Sequence, residues 1–267
     1  MRRFLSWARM WPLPAASIRR QGDCWRNLVR SVYAIPRSPR SRSPERPQAL
    51  QWRGLDPSRR SCSGRGHSNG CTQSQSLESL FTHIPGLKVV MPATPYDAKG
   101  LLKSAIRDND PVIFIEHKGL YQTKQEIPES EYLVPLGKAD VKRIGENVTI
   151  IAYSKTVLTA LDAAKELEKD GISAEVIDLR TLVPLDFDTI AESVRKTGRV
   201  VITHESCERN GSGAEIAAEI QERLFDELDA PILRVCGANI PVPNATLPEE
   251  ASAPSAEKIA AAARSIC

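Results

Sequence analysis

The 267-residue sequence predicts an α/β fold, an open and mostly parallel sheet with helices on both faces, preceded by another domain and a disordered N-terminal segment. Three observations carry this expectation. Strand-like and helix-like segments alternate from Val148 to the C terminus. Runs such as Val112-Ile113-Phe114-Ile115 are apolar throughout, as in strands covered on both faces. Helix caps stand where apolar stripes begin or end.

Taken in order, Leu77, Leu80, Phe81 and Ile84 mark a short amphipathic helix stopped by Pro85-Gly86, and Leu87–Met91 is a buried-strand candidate. Thr94-Pro95-Tyr96-Asp97 starts a helix with a hydroxyl N-cap, proline at N1 and an acid at N3. Ala98, Leu101, Leu102, Ala105 and Ile106 then supply its apolar stripe. A strand at 111–115 follows, then a polar connection over 118–134 without a clear period, where the domain boundary is placed.

Beyond it, strands are expected at 148–153, 174–179, 199–203 and 232–235. Helices are striped by Val157, Ala160, Leu161, Ala164 and Leu167; by Ile190, Ala191 and Val194; by Ile216, Ile220, Leu224 and Leu228; and by Ile259, Ala263 and Ile266. Gly171 and Gly198 read as C-terminal stops.

Residues 1–73 have a different composition. They hold fifteen arginines, no lysine and three acids, whereas the remainder carries all twelve lysines and a net charge of −9. The stretch is rich in Arg, Ser and Pro with no sustained apolar period, so it is expected to be disordered. A targeting peptide over 1–21, a basic arm for anionic partners, and a segment that is not genuine coding sequence all compete. Arginine without lysine favours the last.

Cys24, Cys62, Cys71, Cys207, Cys236 and Cys267 form no CxxC pair and no metal spacing with histidine, which favours a reducing compartment. No apolar run approaches the ~20 residues of a membrane helix. Parallel sheets collect ligands at the carboxyl ends of their strands. Glu116-His117, Ser154-Lys155, Arg180-Thr181 and His204-Glu205 stand there, with Gly211-Ser212-Gly213 opening a helix. The glycine turn either cradles an anion or only permits a tight loop, and His204-Glu205 is either an acid–base pair or a capped strand end. No Ser-His-Asp order, zinc signature, Walker loop or dinucleotide fingerprint is present.

Several motifs resemble the β subunits of pyruvate, branched-chain 2-oxoacid and acetoin dehydrogenases: Ser74-Gln75-Ser76-Leu77-Glu78, Ile84-Pro85-Gly86-Leu87-Lys88-Val89-Val90 and Asp97-Ala98-Lys99-Gly100-Leu101-Leu102. Pro135-Leu136-Gly137-Lys138-Ala139, Val176-Ile177-Asp178-Leu179-Arg180-Thr181, Leu228-Asp229-Ala230-Pro231 and Pro254-Ser255-Ala256-Glu257-Lys258-Ile259 continue the family's order. The resemblance implies the last part of a thiamine diphosphate pyrimidine-binding domain over 74–134 and a transketolase C-terminal-type domain over 135–267, with the first part of the subunit missing.

It further implies oxidative decarboxylation of a 2-oxoacid, with acyl transfer to the lipoyl group of the acyltransferase (E2). Thiamine diphosphate would be shared with the E1 α subunit, which holds Mg2+, and a second β subunit completes a heterotetramer. No catalytic residue carries over. The family's glutamate falls in the missing region, and its histidine position is Gln73, so the isolated chain is expected to be inactive.

A potassium site is implied at Ala105, Ile106, Asp108 and Asp110, and contacts to E2 at Asp229 and the Cys267 carboxylate. No nucleic-acid or membrane partner is expected. The compartment is the bacterial cytoplasm, with the mitochondrial matrix as alternative. Another thiamine enzyme, such as transketolase or deoxyxylulose-phosphate synthase, and a nonenzymatic module binding through the basic arm remain as competing readings.

Overall fold

The computed structural model describes residues 2–6, 58–64 and 74–267. Gln73 and most of the arginine-rich segment lie outside the described residues. Within 1–73 the described residues include two short strands, β1 (Arg2–Ser6) and β2 (Ser58–Ser63). Backbone pairing asks only for an extended chain beside an open edge, so no apolar stripe announces it.

The first domain continues with α1 (Glu78–Thr82), β3 (Lys88–Val90), α2 (Pro95–Arg107), β4 (Val112–His117) and β5 (Lys124–Pro128). β4 is buried along its whole length and pairs in parallel with both β2 and β3. The helix α2 starts as its sequence demands, with the Thr94 hydroxyl accepting from the Asp97 amide. Within the polar connection, β5 pairs antiparallel with β1; it buries only Ile127, too little to give a readable period.

The second domain contains β6 (Asp140–Arg143), β7 (Val148–Ala152), α3 (Thr156–Lys169), β8 (Ala174–Asp178), β9 (Thr181–Val183), α4 (Phe187–Thr197), β10 (Val200–Cys207), α5 (Ser212–Leu224), β11 (Leu233–Gly237), α6 (Thr246–Ala251) and α7 (Ala256–Ile266). Five of these strands form a sheet in the order β11-β10-β7-β8-β6, parallel except for β6 at one edge.

Successive strand residues face opposite sides, and two helix layers exploit this. Val148, Ile150, Ala152, Val176 and Val201 pack under α3 and α7, where Ala160, Ala163, Ala164, Ala260 and Ala263 keep both helices close to the sheet. Ile151, Ile177, Val200 and Ile202 face Ile190 and Val194 of α4 and Ile216, Ile220 and Leu224 of α5. Burying each large aliphatic side chain contributes about 1.5–3 kcal/mol. Gly198 ends α4 in the left-handed region with φ +64°, as its place after the apolar stripe predicts.

β9 departs from this plan. Only two residues after β8, it leaves the second domain's sheet and pairs antiparallel with β3 of the first. Arg180 turns the corner at φ +57°, and its carbonyl accepts from the Met91 amide at 2.8 Å.

Candidate functional site

The chain passes from β7 to β8 on one side and then to β10 on the other. The strand order therefore reverses beside β7, where an open α/β sheet leaves a crevice for a ligand. Here the first domain fills it. His117, at the end of β4, is buried, and its Nε2 lies 2.7 Å from Glu205 Oε2. Its Nδ1 accepts from the Gly119 amide, so the proton sits on Nε2 and is donated to the carboxylate. Lys155 Nζ is 3.7 Å from the other Glu205 oxygen. The Ser206 hydroxyl donates to the Ser76 carbonyl, and Tyr153 OH donates to Glu78 Oε1 at 2.7 Å. Burial pushes the titration of the Glu78 carboxyl and the Tyr153 phenol upward.

This arrangement decides between the two readings of His204-Glu205. The neighbours do not form a pair: Glu205 meets His117, while His204 stacks on Tyr153 at 5.6 Å between ring centres. Adjacent strand residues face opposite ways, so juxtaposition in sequence separates the two side chains. His204 Nε2 accepts from the Gly213 amide at 3.2 Å and lies 3.3 Å from Cys236 Sγ. A Cβ on Gly211 or Gly213 would come within 2.5 or 2.7 Å of the imidazole. The glycine turn thus makes room for a buried histidine, which takes the place an anion would have had at the start of α5. Burial draws His204 down to about 4 and raises the Cys236 thiol to about 12, leaving both neutral.

The expected potassium ligands share one turn at the end of α2. Asp108 places both oxygens on Lys88 Nζ at 2.8 and 2.7 Å, and Asp110 Oδ2 is 3.1 Å from the same ammonium. The Ala105 carbonyl accepts from the Asp108 amide, and Ile106 is exposed. The expected partner contacts come together at the opposite end of the second sheet. Asp229 Oδ2 is 3.7 Å from Arg199, whose charge also acts on the exposed Cys267 thiol.

Sequence reasoning missed a charged cluster between the domains. Lys142 Nζ lies 2.7 Å from Asp97, 2.6 Å from Asp140 and 3.7 Å from Asp178. Arg180 Nη2 lies 2.6 Å from Asp97 and 2.7 Å from Asp140. The available signal was a carboxylate, Asp178, directly after the apolar run of β8, which a strand entering solvent would not explain.

Residues 137–259 match the family model for the transketolase C-terminal domain, and residues 60–124 match that for the transketolase pyrimidine-binding domain. The chain carries both transketolase domains. Their family is one of thiamine-diphosphate enzymes. The pyrimidine-binding match begins fourteen residues ahead of the start expected at 74, close to β2.

Over 201 residues the chain is 51% identical to the acetoin:2,6-dichlorophenolindophenol oxidoreductase subunit beta of Cupriavidus necator, covering 75% of this chain and 60% of that one. It is 56% identical over 171 residues to the pyruvate dehydrogenase E1 component subunit beta of Bacillus subtilis, covering 64% and 53%. It is 49% identical over 205 residues to the 2-oxoisovalerate dehydrogenase subunit beta of the same organism, covering 76% and 63%. The chain therefore spans 53–63% of the length of these relatives. A solved split-gene transketolase, described as an inactive beta4 tetramer, shares the fold with TM-score 0.66 and 24% identity, over 78% of this chain and 65% of that one.

The described residues of the two transketolase domains do not by themselves suit thiamine diphosphate. No group of three or more His, Cys, Asp or Glu side chains among them could hold a metal ion for the diphosphate. A cleft of about 1280 Å³ between α1, β9 and α5 is lined by Phe81, Ile84, Leu182 and Ile216, with Glu215 and Glu219 beside them. Those two carboxylates would repel a diphosphate. Among the described residues, no helix is long and apolar enough to cross a membrane.

Proposed function

We propose that this chain acts within the β subunit of a thiamine-diphosphate-dependent 2-oxoacid or acetoin dehydrogenase. One observation carries the reading: the crevice at the reversal of strand order is closed by the chain's own His117, Gly119 and Glu78 region. A domain whose ligand crevice is used to dock its neighbour serves a shared active site better than a self-contained one. Identity of 49–56% to three dehydrogenase β subunits supports this reading over single-chain thiamine enzymes.

In this proposal an α subunit supplies the diphosphate and Mg2+ site, a second β subunit completes the assembly, and thiamine diphosphate provides the carbanion. The compartment proposed is the bacterial cytoplasm. Asp229 and the Cys267 carboxylate would meet a basic surface of E2, giving a salt-sensitive contact. Co-expression with the α subunit of the Bacillus subtilis enzyme should give co-elution. The Asp229→Ala variant should keep that co-elution and lose several-fold in affinity for E2 at low salt. Failure to co-elute would refute the subunit assignment; an unchanged E2 affinity would refute the role of Asp229.

We also propose potassium at the α2 exit. The Ala105 and Ile106 carbonyls lie at the negative end of the helix dipole, and Asp108 and Asp110 supply further oxygens. Lys88 competes for both carboxylates. Potassium in place of choline should therefore raise the Tm of Lys88→Met by several degrees and that of the wild type by less. Equal Tm values for the variant in the two salts would remove the site.

A further inference from the structure

We propose that the charged cluster of Asp97, Asp140, Asp178, Lys142 and Arg180 is a proton-linked clasp between the two domains, strongest when one proton is bound at Asp178. The cluster draws on every element that meets at this point. Asp97 comes from the start of α2, Asp140 and Lys142 from β6, and Asp178 and Arg180 from the passage between β8 and β9. Three carboxylates face two cations, so the fully ionised cluster carries one uncompensated negative charge in a nearly dry seam. The side chains of Asp97 and Asp178 are fully buried, and those of Lys142 and Arg180 are 15% and 12% exposed.

The geometry singles out the carboxylate that takes the proton. Asp97 has both cations within 2.7 Å and receives the Thr94 hydroxyl at 2.6 Å. Asp140 also has both cations within 2.7 Å and is the most exposed of the three. Asp178 accepts the Arg180 amide at 3.1 Å on Oδ1, but its Oδ2 has only the Lys142 ammonium, at 3.7 Å. Burial, offset in part by Lys142 and reinforced by the charge on Asp97, pushes its carboxyl up to about 7. Lys142 stays charged: burial opposes its charge, but Asp178 and Asp97 hold its titration above the ordinary lysine range.

The sign follows from linkage. A folded-state value above that of the unfolded chain adds stability that is full below about 4 and lost as pH rises through about 7. Within that window the unfolding constant attributable to Asp178 rises about tenfold per pH unit. Because the clasp holds β9 and the start of α2, amide exchange in 94–99 and 178–183 should quicken beyond the intrinsic pH effect as pH rises towards about 7, and level off above it.

The test compares wild type with Asp178→Asn from about pH 5 to pH 9. Asparagine keeps the acceptor for the Arg180 amide but cannot ionise. Comparing the two at each pH cancels the contribution of His204 and all other groups. The variant's relative unfolding constant should improve by about a hundredfold between pH 5 and pH 7, then level off, and its seam should exchange no faster at pH 9 than at pH 6 after intrinsic correction. A variant less stable than wild type at pH 9, or a constant ratio across the range, would overturn the proposal. Should the variant not fold, infrared spectra of the wild type decide. A protonated carboxyl band present at pH 6, lost by pH 9 and retained in Glu78→Gln supports the clasp, and its absence at pH 6 refutes it.

Discussion

Asp97→Ala should destabilise the protein by about 3–5 kcal/mol, because it takes from two largely buried cations the fully buried carboxylate that meets both. Asp97 is fully buried and bridges Lys142 at 2.7 Å and Arg180 at 2.6 Å. With its carboxylate gone, Asp140 and Asp178 alone would face the two side chains, and the Thr94 hydroxyl would lose its acceptor at 2.6 Å. A domain is held by about 5–15 kcal/mol in all, so the loss is a large share of the total. Urea unfolding should show a lower midpoint with little change in slope. Since the cluster is buried, 0.5 M salt should not remove the difference. A change below about 1 kcal/mol would mean that these charges are solvated in solution.

Protonation of His204 should cost the protein stability in acid. Its imidazole is buried against Tyr153, its Nε2 already receives the Gly213 amide, and burial draws its protonation down to about 4. The unfolded chain takes up a proton near 6.5, so stability is fully present above 6.5 and is lost as pH falls towards 4. The shift corresponds to about 3 kcal/mol at most. His204→Gln, which can still accept the Gly213 amide, should gain in Tm relative to wild type as pH falls from 6.5 to 4.5. A constant difference between the two proteins would place the acid sensitivity elsewhere. This loss runs opposite in sign to the contribution of Asp178, so between about pH 4 and pH 6.5 the two largely offset each other, and only variants separate them.

The fold was legible where one residue's local environment decides its conformation. The N-cap at Thr94, the stop at Gly198 and the alternation of apolar strands and striped helices reappear in the coordinates within a few residues. β9 was not legible, because Thr181-Leu182-Val183 is a three-residue segment whose partner, β3, lies about ninety residues earlier. No local pattern encodes that choice. The site was read in part. The residues at the strand ends stand where the strand pattern placed them, but their partners were not legible: Glu205 bonds to His117 across 88 positions, and the imidazole beside it occupies the glycine turn. Composition shows that a carboxylate and a histidine are present; only tertiary packing shows which carboxylate meets which histidine.

The excursion of β9 into the neighbouring sheet means that the two lobes are tied at two points on the chain. A protease that nicks the exposed stretch around Ser130 would leave pieces that still travel together, since the later segment remains threaded through its host. The first lobe cannot be excised as an independent unit without losing one strand of its sheet, and swapping lobes between relatives would have to carry residues 179–186 with the recipient sheet in mind.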